Sequence, residues 1–201
     1  MTKYELKTPI TEEDVRKLRA GDTIFLSGRM ITARDEAHHK ALEFFKKGEP
    51  LPVNFEGMVI YHCGPIMRQV QGKWEVVAAG PTTSTRMDLF EDEFIEAFKA
   101  RVIVGKGGMG ERTVKACEKV GAVYGAFTGG AALLAKQAIV EVEDVFWLDD
   151  LGMPECLWVY RIDNFGPVAV AIDSHGTNLF AQMYTQMEKN KPRAYELAGL
   201  K

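Results

Sequence analysis

The sequence predicts an α/β fold: one domain of mixed sheets with flanking helices. Two observations carry this. Three times in succession an apolar run passes through a Gly-rich loop into a helix-patterned segment, in "WEVVAAGPTTSTRMDLFEDEFIEAF", "RVIVGKGGMGERTVKACEKVG" and "AVYGAFTGGAALLAKQ". Such units build parallel layers whose loops collect at one edge. In the last third the pattern changes to apolar runs around Asn164-Phe165-Gly166 and Ser174-His175-Gly176. These add strands joined by turns, and so two packed sheets or one mixed sheet.

Taken in order, "TPITEEDVRKLRAGD" reads as a short helix with Thr11 as N-cap, acids in its first turn and Gly21 as its stop. "TIFLSGR" is a strand running into a Gly turn. In "TARDEAHHKALEFFKKGE" apolar residues at Ala37, Ala41, Leu42, Phe44 and Phe45 predict a helix ending at Gly48. "LPVNFEG" is a connector. "MVIYHCGP" and "WEVVAAGP" read as buried strands that each turn sharply at Gly-Pro. Leu89, Phe90, Phe94, Ile95 and Phe98 fall at helical spacing, and "VEDVFWLDD", "ECLWVYRIDNFGPVAVAIDSHG" and "NLFAQMYTQMEKN" supply further strands and a terminal helix.

Composition narrows the function classes. The 201 residues are 46% hydrophobic and 26% charged, ordinary globular values and enough for one domain spanning 1–201 to bury a core without staples. A formal net charge of -3 offers no global basic field for nucleic acid or a membrane surface, so any anion site must be local. No apolar run approaches a transmembrane helix, and "MTKYELKTPI" lacks the stretch of a secretion signal. Cys63, Cys117 and Cys156 are an odd number without CxxC spacing. They suggest neither a disulfide framework nor a metal site held by this chain alone, and reduced thiols in a cytoplasm are expected.

Ligands of α/β layers bind beyond the carboxyl ends of parallel strands. "GPTTSTR", "GKGGMGERT" and "FTGGAA" fall there. Each joins small residues, free N–H groups and hydroxyls near a helix start, which suits a carboxylate or phosphate. Arg86 and Lys106 add full charges, and arginine can grip a carboxylate at two points. Simpler roles stand beside these: "TTSTR" as a helix cap, and Lys106 as a solvated loop lysine. The glycines at 105, 107, 108 and 110 fit neither the Walker A nor the Rossmann spacing. Arg34 at a helix start opposes the helix dipole, a local conflict of the kind met at functional positions. His38 and His39 point apart on a helix and make no metal pair. His62 and Cys63, adjacent on a strand, face opposite ways and make no nucleophilic dyad. Asp149-Asp150 reads as a solvated turn.

With "SGRMITARDEAHHK", "GPTTSTRMD" and "VGKGGM" occurring in this order, the chain resembles the β subunit of two-subunit class I fumarate hydratases. It is similar too to the C-terminal domain of the single-chain enzymes and to the β subunit of L-tartrate dehydratase, from about Thr11 to Tyr184. The resemblance implies a swivelling β/β/α-type fold and reversible hydration of fumarate to L-malate. It implies a [4Fe-4S] cluster bound by a partner α subunit rather than by this chain, in a heterotetramer of two α and two β chains. Arg34, Arg86 and Lys106 match the family's ligands for the substrate carboxylates, and Thr82 matches its proposed base; the family often has Gly where Thr85 stands. A tartrate dehydratase subunit, or a non-enzymatic anion-binding module, are the other readings.

Overall fold

A computed structural model describes residues 1–200. In chain order the elements are β1 (Lys3–Lys7), α1 (Glu12–Arg16), β2 (Thr23–Thr32), α2 (Asp35–Lys47), β3 (Val59–Tyr61), β4 (Ile66–Val70) and β5 (Lys73–Ala78). A 3-10 turn (Ser84–Leu89) leads into α3 (Glu91–Phe98), β6 (Val102–Gly105), α4 (Glu111–Val120), β7 (Val123–Ala126) and α5 (Ala132–Ala138). Then follow β8 (Ile139–Phe146), α6 (Leu148–Leu151), β9 (Leu157–Ile172) and α7 (Leu179–Leu197). The architecture is a mixed α/β domain with flanking helices, as the sequence predicts.

Seven strands form one sheet in the order β1-β2-β3-β6-β7-β9-β8, and β9 pairs β2 as well. β1, β2, β3, β6 and β7 are parallel, whereas β9 runs antiparallel to β2, β7 and β8. Ala169 is paired with both Thr23 and Ala126, so β9 closes β2-β3-β6-β7 into a ring. Closure leaves the central strands with apolar partners on both faces. Val59, Tyr61, Val102 and Val104 point to an inner core with Leu26, Met30, Trp158 and Tyr160. Ile60 and Ile103 point outward, under Ala41 and Leu42 of α2, Phe94 and Ile95 of α3, and Val114 of α4. Continuous apolar runs such as "VIY" and "VIV" are what strands buried on both faces require.

α1 starts on Thr11 with a reciprocal capping box to Asp14, and α2 ends on Gly48 in the left-handed conformation, both as the sequence predicts. Four expectations change. β2 does not turn at Gly28 but runs through it to Thr32, with a register shift against β9 between Leu26 and Gly28. The segment at Asn164 to Gly166 is not a turn either. It lies within the single strand β9, where Asn164 takes a positive φ and the pairing to β2 shifts; a bulge here bends a strand long enough to serve two neighbours. "WEVVAA" is not a layer strand, because β5 pairs only β4 in a separate hairpin, with Val76 turned to the core and Glu75 and Val77 exposed. α1 ends at Arg16, before Gly21. α7 is exposed from Ala181 onward.

Candidate functional site

The parallel strands set the site, because the carboxyl ends of β2, β3 and β6 lie side by side. Beyond β2, the Ala33 N–H donates to the Tyr61 carbonyl (3.1 Å) and Arg34 becomes the N-cap residue of α2. Beyond β3, the His62 carbonyl accepts from the Thr82 N–H (2.6 Å). Beyond β6, the Lys106 N–H donates to the Thr82 carbonyl (3.2 Å), and the Lys106 carbonyl accepts from Ser84 (2.9 Å). Bridges of Pro81 to Cys63 and of Thr83 to Lys106 complete the lacing. The segment Gly80 to Arg86 is therefore stitched across the ends of β3 and β6, although the strand before it belongs to the hairpin.

Of the four predicted residues, Thr82 and Lys106 are joined by a backbone hydrogen bond, and Arg34 follows Ala33 at the end of the neighbouring strand β2. Arg86, about half exposed, reaches across to Asp35, the residue after Arg34. Arg34 pairs with Glu155 at 3.0 Å, with its side chain 18% exposed. Gly64 is needed for that placement: a Cβ there would collide with the Arg34 guanidinium and come within 2.9 Å of the Pro154 carbonyl. Lys106 is partly buried and makes no ion pair among the described residues. The shelf thus carries three cations, two of them steered by acids of the same chain.

The capping reading of "TTSTR" is not realised. The Ser84 hydroxyl is buried, 2.9 Å from His62 Nδ1, and accepts from Tyr124 at 3.0 Å, while Thr85 donates to the Gly108 carbonyl at 2.8 Å. The helix after the loop begins at Glu91 with no side-chain cap. Asp88 instead ties the loop to another helix, accepting from the Gly110 N–H and the Thr113 hydroxyl, both at 2.8 Å, at the start of α4. Asp88→Ala should therefore destabilise the fold by about 1–2 kcal/mol, read as a lower urea midpoint at unchanged slope.

Under the shelf lies a cluster that sequence reading did not assemble. His38 of α2, His62 after β3 and Glu91 of α3 are fully buried, with Glu91 Oε2 3.4 Å from His38 Nε2 and 3.0 Å from His62 Nε2. Burial alone would raise the Glu91 carboxyl, but the two imidazoles hold it down to about 2. Burial would lower His38, yet Glu91 outweighs it and the net shift is upward; for His62 burial prevails and the shift is downward. The signal was present but faint. Glu91 shares the apolar stripe of Phe94, Ile95 and Phe98, and His38 that of Ala41 and Leu42, so each is a polar residue at a core position.

All three cysteines are buried and free. Burial pushes the Cys63 and Cys117 thiols well above their usual range and Cys156 to about 12, so each rests as the neutral thiol. Cys117 lies in the outer core, apart from the other two. No helix among the described residues is long and apolar enough to cross a membrane.

Comparison with known proteins places this geometry in context. Residues 1–183 match the family model described as Fumarase C-terminus. The chain is 47% identical over 177 residues to the "L(+)-tartrate dehydratase subunit beta" of Escherichia coli (strain K12), covering 88% of this chain and 86% of that protein. It is 44% identical over 191 residues to the "Putative L(+)-tartrate dehydratase subunit beta" of Methanocaldococcus jannaschii, covering 95% and 96%. To the "Putative fumarate hydratase class I" of Geobacillus stearothermophilus it is 41% identical over 175 residues, which are 87% of this chain and 33% of that longer protein.

Proposed function

The chain belongs to the fumarase C-terminus family, and from that premise we propose that it is the β subunit of a two-subunit hydro-lyase acting on a four-carbon dicarboxylate, with fumarate and L-malate as the substrate pair. The observation that carries this reading is the meeting of Arg34, Thr82, Arg86 and Lys106 at the carboxyl ends of three neighbouring parallel strands. L-tartrate is the second reading, supported by the names of relatives at 44–47% identity. Both substrates present two carboxylates, and cations alone do not separate them.

In this reading Arg34, Arg86 and Lys106 hold the carboxylates. They also stabilise the extra negative charge that develops on one of them when the carbon beside it loses a proton. Thr82, anchored through both its N–H and its carbonyl, presents its hydroxyl toward that carbon as the proton acceptor. A threonine hydroxyl is a weak base, so the neighbouring cations must favour its deprotonated form. The clamps also fix orientation, itself a large part of rate enhancement. The partner α subunit would carry the [4Fe-4S] cluster, whose open iron supplies Lewis acidity toward the substrate hydroxyl. Three cysteines without CxxC spacing, with Cys117 apart from the other two, support assigning the cluster there rather than here. We place the complex in a reducing cytoplasm as an α2β2 assembly.

The test is anaerobic co-expression with an iron–sulfur α subunit and rates on fumarate, L-malate and L-tartrate. Turnover of fumarate and L-malate well above L-tartrate supports the first reading, and the reverse order supports the second. Hydration of fumarate by the isolated chain would overturn the shared-site reading.

A further inference from the structure

Beneath the dicarboxylate shelf, we propose that His38, His62 and Glu91 bind a divalent transition-metal ion of the zinc class, one per chain, as a structural site independent of any iron–sulfur cluster. The three side chains come from different segments, and their ligand atoms lie within 4.8 Å of one another in the protein interior. His38 Nε2, His62 Nε2 and both Glu91 carboxylate oxygens are buried without a hydrogen-bond partner. Four orphaned buried polar atoms, three of them converging, are costly unless something satisfies them. A single proton on His38 would balance the carboxylate charge, yet it leaves these atoms without aligned hydrogen bonds.

An ion between them would satisfy both imidazole nitrogens and a Glu91 oxygen. Donors bound to one ion at about 2.0–2.2 Å stand roughly 3.0–3.5 Å apart, and the Nε2–Oε2 separations here are 3.0 and 3.4 Å. Two imidazoles and a carboxylate whose second oxygen is also free give four donors. Imidazole selects zinc-class ions over magnesium or calcium. The outer contacts fit as well. His38 Nδ1 lies 2.7 Å from the Arg34 carbonyl; a carbonyl only accepts, so Nδ1 carries a proton, and the ring in its neutral, metal-binding form turns the Nε2 lone pair to the cluster. His62 Nδ1 is held by Ser84 at 2.9 Å. Metal-ligating histidines are commonly oriented through the opposite ring nitrogen in this way. The ion would tie α2, the end of β3 and α3 together, below the residues that position Arg34, Thr82 and Arg86. This departs from the sequence expectation that no metal is held by this chain.

The full chain, purified without an affinity tag and dialysed against metal-free buffer after loading with zinc sulfate, should retain about one zinc per chain by elemental analysis. Loading with cobalt instead should give visible d–d absorption. Glu91→Gln, close to isosteric, should lower zinc content at least tenfold. Should that variant fail to fold, His62→Gln takes its place and the wild-type stoichiometry decides. Retention of less than about a tenth of an equivalent by wild type, with thermal unfolding unmoved by added zinc or by a chelator, would overturn the site and leave a buried ion-pair cluster. The measurement is independent of turnover, so it stands or falls apart from the hydro-lyase reading.

Discussion

Arg86→Lys, assembled with its partner subunit, is expected to lose about 10²–10³-fold in kcat/KM, the range found when one donor to a developing oxyanion is removed. Lysine keeps the charge but not the planar fork, and it offers one ammonium where the guanidinium pairs with Asp35 and, in the proposed role, grips a substrate carboxylate as well. The side chain is about half exposed, and exposed ion pairs contribute little to stability, so the urea midpoint should hardly move. Loss of activity at constant stability separates a clamp from a scaffold. If Arg86→Lys turns over fumarate, malate and tartrate at near wild-type rates, Arg86 is not a substrate ligand and the shelf needs another explanation.

Gly105→Ala is expected to destabilise the chain by about 1–3 kcal/mol, the usual cost of forcing a methyl group into a packed core, with loss of activity beyond that. A Cβ at this position would fall on the Ser84 hydroxyl and within 3.1 Å of His62 Nδ1. The strand and the GPTTSTR segment would have to separate where Lys106 and Thr82 share backbone hydrogen bonds. Adding Ser84→Ala removes the nearest clashing atom and should restore part of the stability. A denaturation midpoint equal to wild type in Gly105→Ala would show that the contact between segment and strand is softer than its geometry suggests.

Much of the fold is legible because it rests on local periodicity. The helical spacing in α2, α3 and α4, the Thr11 cap and the Gly48 stop are each decided within a few residues. The strands β3, β6 and β7 announce themselves as unbroken apolar runs because both their faces are buried. What failed did so for non-local reasons. "WEVVAA" has the composition of a core strand, but its partner is the β4 strand beside it, and hairpin pairing put it outside the layer. Asn164 and Gly166 carry the composition of a turn, yet pairing with β2 across the ring keeps the chain extended with a bulge. The hydroxyls of Ser84 and Thr85 suggested a cap, and tertiary contacts claimed them first.

For the site, the ordered motifs "TARD", "GPTTSTR" and "GKGG" carry the family resemblance, and it is the resemblance, beyond the local pattern, that implies Arg34, Thr82, Arg86 and Lys106. The sequence by itself determines the family, the helices and the chemistry the shelf can offer. Only the tertiary structure decides that these residues meet, that Arg34 and Arg86 are steered by Glu155 and Asp35, and that His38, His62 and Glu91 converge in the interior. The reason is physical: periodicity reports which face of an element is buried, whereas the partner across that face is chosen by sheet order and closure, which no local window contains.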